Sequence, residues 1–191
     1  MLKDLVLRNR SYRRFNQTAR INPAVLRDLC DLARLTPSGR NAQPLKYILV
    51  TSEDLCDKIY PLLGWAGYLK DWDGPIEGER PAAYIVMLGD KTISENFGID
   101  PGIACQTLLL GAVEQGLGGC IIATVKRENL KTLLEIPDTF DVLYVIALGK
   151  PVEEVVVEPV GSNGDIKYWR DDKHVHHVPK RELKDVIVAE K

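Results

Sequence analysis

The sequence predicts a single domain that mixes α-helices with buried β-strands. Three observations predict it. The chain has 191 residues, 45% hydrophobic and 27% charged. That size and balance fit one globular unit able to bury roughly 70% of its unfolded surface. Four short apolar runs, at 47–50, 82–88, 120–125 and 142–148, read as buried strands. Between them lie stretches with apolar residues at helical spacing.

The first helix is expected over 22–35. Asn22 can accept from the open amides of the first turn, and Pro23 suits the first helical position. Val25, Leu26, Leu29, Leu32 and Ala33 form its apolar stripe, and Pro37 ends it. A loop dense in turn formers, 36–44, leads into the strand at 47–50. Ser52 caps a short helix carrying Leu55, Ile59 and Leu62. Residues 64–81 contain four Gly, two Pro and the aromatics Trp65, Tyr68 and Trp72. A long irregular stretch of that kind reads as a lid or binding excursion; packing its own aromatics on the surface is the alternative.

After the strand at 82–88, Asp100-Pro101 repeats the cap-then-proline start and opens a helix running to about Gln115. Ile103, Ala104, Thr107, Leu108, Gly111 and Ala112 are apolar or small around much of its circumference. Such a helix is central or lies at a subunit interface. Gly116 stops it. A helix around 128–134 separates the last two strands. From 150 to 191 a polar C-terminal arm is expected, irregular until a helical stretch at 181–188.

Several function classes are excluded. Lys and Arg number 25 against 27 Asp and Glu, for a net charge of −2, so no nucleic-acid or membrane partner is expected. No apolar stretch reaches the roughly 18 residues of a membrane span, and Asp4 interrupts any signal-peptide core. Cys30, Cys56, Cys105 and Cys120 are widely spaced, which suggests a reducing, cytoplasmic setting. There is no GxxxxGK[ST] and no GxSxG. Gly116-Leu117-Gly118-Gly119 follows a helix and opens a strand, the reverse of a dinucleotide-binding turn. His174, His176 and His177 invite a metal. Arg170, Lys173 and Lys180 surround them, however, so a solvated or phosphate-facing basic segment is expected and no metal.

Anion recognition remains. Arg8, Arg10, Arg13 and Arg14 crowd together with Ser11 and Tyr12 among them, and Phe15 beside them as an anchor. Guanidinium forks fit phosphate oxygens; a solvated basic face is the alternative. In Pro37-Ser38-Gly39-Arg40-Asn41-Ala42-Gln43-Pro44, the Asn41 and Gln43 carboxamides both donate and accept. They suit the imide edge and ribityl hydroxyls of a flavin, or any polyol-bearing heterocycle. A well-made turn is the alternative.

Taken together, the chain resembles the nitroreductase family of FMN-dependent oxidoreductases. Four segments in order carry the resemblance: Arg10-Ser11-Tyr12-Arg13-Arg14-Phe15, close to RRSxRxF with Asn9 in place of the first arginine; Pro37-Ser38-Gly39-x-Asn41-x-Gln43-Pro44; Gly116-Leu117-Gly118-Gly119-Cys120; and Leu134-Glu135-Ile136-Pro137 with Leu148-Gly149-Lys150-Pro151. The resemblance implies a layered α+β domain over 1–191, its central, mostly antiparallel sheet flanked by helices. It implies an intertwined homodimer with FMN at the subunit interface. By position, Arg10, Ser11 and Arg13, with Tyr12 among them, would hold the FMN phosphate, completed by Lys180 or Arg181. Pro37, Ser38, Asn41 and Gln43 would approach from the partner. The amide near Ala123–Thr124 would face flavin N5.

The activity so implied takes hydride from NAD(P)H and passes it to a small electron-poor acceptor, a nitroaromatic or quinone, in a ping-pong cycle. No protein acid or base is required. Trp65, Tyr68 and Trp72 would wall the stacked substrate, and Lys70 would reach the flavin or an anionic substrate. The rivals are a flavin-binding carrier or sensor without turnover and a phosphate-ligand module without flavin.

Overall fold

The computed structural model describes residues 1–191. They form two compact units: Met1–Trp65 with Gly74–Val152, and Ala66–Asp73 with Glu153–Lys191. No helix is long and apolar enough to cross a membrane.

The first unit runs α1 (Leu2–Arg8), β1 (Phe15–Asn16), α2 (Pro23–Arg34), β2 (Leu45–Val50), α3 (Glu53–Ile59), β3 (Ala83–Asp90), α4 (Asp100–Glu114), β4 (Gly118–Ile122), α5 (Arg127–Leu133) and β5 (Phe140–Pro151). The α2 start is as its sequence demands: Asn22 Oδ1 accepts from the Ala24 N–H at 2.9 Å, with Pro23 following. The sheet is antiparallel in the order β2-β3-β5-β4, with β1 on the end of β5. Helices cover both faces. Ile85 and Met87 of β3 pack with Leu26 and Leu29 of α2 and Leu108 and Ala112 of α4. Tyr84, Val86 and Leu88 pack with Cys56 and Ile59 of α3 and Leu130 of α5. Burial on both faces explains why 82–88 reads as a continuous apolar run.

Helix α4 is central. Ala104, Cys105, Leu108, Leu109, Ala112 and Val113 are buried. Gly111 lets α2 come close, since a Cβ there would lie 2.7 Å from Leu32 Cδ1. Gly116 ends the helix at φ +74°. Helix α1 has no buried residue, so no apolar stripe announces it.

The second unit holds β6 (Val155–Pro159), β7 (Trp169–Arg170), β8 (His176–Lys180) and the one-turn α6 (Leu183–Val186). β6 pairs parallel with β8, and β7 antiparallel. This corrects the expectation of an irregular arm. The strands are half exposed, carry Pro159 and Pro179, and pair across a long connection, so no local alternation marks them. The histidine expectation is corrected too. His176 is buried. His177 stacks on Trp169 with ring centroids 4.0 Å apart. Its Nδ1 lies 3.0 Å from Glu158 Oε2 and its Nε2 3.5 Å from Asp171 Oδ2. The sheet supplies carboxylates that the local sequence does not show.

Candidate functional site

The arginine-rich opening segment is seated on β4. Ser11 bridges to Gly119 in parallel, and the Tyr12 N–H donates to Gly119 O at 3.0 Å. The glycine pair makes room. A Cβ at Gly118 would lie 2.5 Å from Tyr12 Cδ2, and one at Gly119 2.5 Å from Ala147 O. The Gly118-Gly119 motif is therefore a seat for residues 11–12. Phe15 is fully buried against Gly149 and anchors the segment as its position suggests.

The neighbouring side chains divide. Arg14 is committed to Glu79. Asn9 is buried, and its Nδ2 donates to Gln106 Oε1 on α4 at 3.4 Å. Arg10 Nη2 donates to Val6 O at 2.7 Å, yet Arg10 Nε is buried without a hydrogen-bond partner. Arg13 Nη1 donates to Ser11 O at 3.2 Å.

The 37–44 loop is held from α4. Ser38 Oγ donates to Asp100 Oδ2 at 2.5 Å and accepts the Gln43 N–H at 2.9 Å. The Gly39 N–H donates to Asp100 Oδ1 at 2.9 Å. Gln43 Nε2 donates to Asn41 O at 3.2 Å. Arg40, Asn41 and Gln43 sit at φ +51°, +55° and +52°. Pro37 and Ser38 line a small cavity with Tyr47 and Asp100. Asp100 thus does not cap α4 as its position before Pro101 suggests. The capping position is Ile99, and the carboxylate turns to the loop.

Beyond β4, Ala123 and Thr124 are exposed. The strand expected to run to 125 stops at Ile122. The chain turns there because Arg127 Nη2 donates to Ala123 O at 3.1 Å and its Nε to Val142 O at 2.9 Å. Thr124 O accepts the Gly64 N–H at 2.8 Å, whereas the Thr124 N–H has no partner within the chain. Sequence reasoning missed Arg127 and the loop-holding role of Asp100. Only the Asp100-Pro101 pair was visible, and it read as a cap.

The pairing register separates these segments. Leu45, at the exit of the 37–44 loop, pairs with Gly89, which pairs with Asp141. Gly118, beside Ser11, pairs with Gly149. From Asp141 to Gly149 is roughly 25 Å along β5, at about 3.2 Å per residue. Within one chain the loop and the arginine segment lie at opposite ends of the sheet.

Trp65 belongs to the first unit. It stacks on Tyr60 at 5.9 Å and lies against Gly74. In the second unit Tyr68, Lys70 and Trp72 line a cleft with Trp169, Arg170 and His174. Arg170 lies over Trp72 at 4.7 Å and pairs with the buried Glu153 at 3.1 Å. Lys180 and Arg181 are exposed at the end of β8.

All four cysteines are free. Burial pushes the thiols of Cys30 and Cys105 up to about 12 and that of Cys56 to about 11, so these three stay protonated at neutral pH. No group of three or more His, Cys, Asp and Glu side chains is arranged to hold a metal ion.

The nitroreductase family model matches residues 6–72 and 79–150. A provisionally named NADH dehydrogenase/NAD(P)H nitroreductase of Methanothermobacter thermautotrophicus is 28% identical over 151 residues, 75% of this chain and 74% of that protein. A nitroreductase family protein from Streptococcus pneumoniae TIGR4 has the same fold, with TM-score 0.71 over 100% of both chains at 16% identity. An FMN-dependent nitroreductase from Clostridium difficile R20291 matches with TM-score 0.63 over 78% of this chain and 87% of that one, at 22% identity. With the matched segments spanning most of the first unit, and its antiparallel sheet shared with those structures, the chain belongs to the nitroreductase family.

Proposed function

We propose that the protein is an FMN-dependent NAD(P)H oxidoreductase acting as a homodimer on a small electron-poor acceptor such as a nitroaromatic or quinone. One observation carries the reading. Strand β4 seats Ser11 and Tyr12, between Arg10 and Arg13, at one end and leads at the other to the exposed Thr124, whose N–H has no partner within the chain. An anion-binding group and a lone hydrogen-bond donor on one strand fit a ligand with a phosphate tail and an acceptor atom in its ring. The unpartnered Arg10 Nε adds to the fit. The name of the Clostridium difficile relative supports FMN, and that of the Methanothermobacter relative supports NAD(P)H.

When bound, FMN supplies hydride exchange between reduced nicotinamide and acceptor, in a ping-pong order. The chain's residues bind and orient. Arg10, Ser11 and Arg13 hold the phosphate. The Thr124 N–H donates to the ring at N5, and Arg127 keeps that turn in place. Pro37, Ser38, Asn41 and Gln43 come from the partner subunit, because the roughly 25 Å between the segments prevents one chain from supplying both. In the second unit, Tyr68 and Trp72 offer the acceptor aromatic faces and Lys70 a positive charge; in the first, Trp65 is fastened on Tyr60. Four free cysteines suit a reducing cytoplasm.

The test is the visible spectrum of the purified protein, followed by FMN titration and by NADH or NADPH oxidation with menadione. Flavin bands and turnover are expected. No bands and no response to added FMN would defeat the cofactor. A bound flavin that is never reduced would favour a carrier or sensor.

A further inference from the structure

Asp100 has a buried carboxylate at the first turn of α4, and the proposed chemistry leaves it without a role. Its two oxygens are used separately. One accepts the Ser38 hydroxyl at 2.5 Å and the other the Gly39 N–H at 2.9 Å. A hydroxyl has one proton to give and two lone pairs to accept with. Ser38 gives its proton to Asp100 and accepts the Gln43 N–H with one lone pair. A single lone pair is left. Seen from a ligand, Ser38 is an acceptor only.

The same network answers a second question. Arg40, Asn41 and Gln43 all hold left-handed φ, a conformation that costs non-glycine residues and persists only under outside restraint. The short turn bonds, Asn41 N–H to Ser38 O at 2.8 Å and Ala42 N–H to Gly39 O at 3.0 Å, are internal to the loop. They do not fix it to the fold. Asp100 does, because α4 is buried in the core through Ala104 and Leu108. The positive end of the helix also suits a carboxylate in its first turn.

We propose that Asp100 is a positioning residue for the flavin-binding loop: its carboxylate locks residues 38–43 to α4 and sets the polarity of Ser38, so that this hydroxyl accepts from a flavin N–H or ribityl O–H and does not donate to the ring. The proposal rests on the FMN reading for its ligand, but the lock is a property of the chain alone. A carboxylate that merely suited the helix start would lack both consequences.

The test uses the full-length protein with Asp100→Asn and Asp100→Ala. In flavin-free protein, amide hydrogen exchange at Gly39 and Gln43 reads the lock. Asp100→Ala should speed both by at least about tenfold and weaken FMN binding by about tenfold, the size of one lost charge-assisted hydrogen bond. If the alanine variant fails to fold, Ser38→Ala carries the lock test, since it removes the hydroxyl between Asp100 and the Gln43 N–H and should speed exchange at Gln43; Asp100→Asn keeps the shape and carries the polarity test. Its single oxygen retains the Gly39 N–H, and its amide donates to Ser38 Oγ, turning the hydroxyl proton outward. That added donor should shift the absorption bands of bound FMN and raise its midpoint potential.

Unchanged exchange in Asp100→Ala, or at Gln43 in Ser38→Ala where it stands in, would overturn the lock, whatever FMN does. Changed exchange with an unshifted spectrum and potential in Asp100→Asn would overturn the polarity of Ser38. A wild-type protein that ignores FMN, yet shows the exchange effect, would overturn the flavin part and confirm the lock.

Discussion

Arg14 and Glu79 form a two-pronged ion pair, Nε to Oε2 at 2.6 Å and Nη2 to Oε1 at 2.5 Å. The Phe15 N–H also donates to Glu79 O at 2.9 Å, so the opening segment is stitched to the far end of the excursion twice. Adjacent arginines therefore have different work. Arg14→Ala removes this two-pronged pair from a largely buried carboxylate and should cost about 2 kcal/mol, read as a lower urea midpoint with FMN affinity nearly unchanged. Arg13→Ala should do the reverse, weakening FMN retention more than stability. If Arg14→Ala releases FMN without loss of stability, the division is wrong.

The glycine pair on β4 separates packing from binding in the same way. At Gly119 a new methyl meets Ala147 O at 2.5 Å and Leu109 Cδ2 at 2.7 Å. A sheet carbonyl cannot yield cheaply, so Gly119→Ala should cost roughly 1–3 kcal/mol, seen as a lower Tm. At Gly118 the new methyl meets the Tyr12 ring and Pro151. Gly118→Ala should lift the arginine segment off the sheet and weaken FMN retention more than stability. Equal and small effects on both quantities in both variants would show that the seat is not tight.

The small sheet should be acid-sensitive. The Trp169 indole N–H, at 3.0 Å, and then His177 hold the Glu158 carboxyl below its usual value. Burial pushes Asp171 up, but N–H donors from Val175 and Lys173 and the His177 ring outweigh it, and its value is also lowered. A depressed folded value stabilises above the unfolded value of about 4 and is lost as pH falls through the folded one. Trp169 fluorescence should therefore change below about pH 4, while the first unit's sheet is still folded by circular dichroism. Glu158→Gln should flatten that change; an acid titration identical to wild type would count against the arrangement.

Much of the first unit was legible because its causes are local. Asn22-Pro23 starts α2, Gly116 ends α4, and a run buried on both faces gives β3. The site was legible only as segments. Asp100 read as a cap because its partners, Ser38 and Gly39, are 62 and 61 residues away. Arg14 looked like any other arginine of its cluster because Glu79 is 65 residues away. The β6–β8 pair was illegible for a related reason: His177 reads as basic until the sheet brings Glu158 and Asp171 to it.

The cleft of the second unit tests the substrate wall. Trp72 offers one ring face to Arg170, whose guanidinium lies 4.7 Å away and whose Nη2 is held by the buried Glu153. Tyr68 is half exposed and tilted against Tyr168 at 4.9 Å. Trp72→Ala removes the flat surface and leaves Arg170 tied to Glu153, so the unit keeps its ion pair. With aromatic stacking worth about 0.5–1.5 kcal/mol beyond area burial, the KM for menadione should rise several-fold at constant bound flavin. Trp72→Phe should restore most of it, because a ring face returns without the indole N–H. A KM that stays at the wild-type value in Trp72→Ala would remove this cleft from the acceptor's path, and the wall would have to be sought elsewhere on the chain.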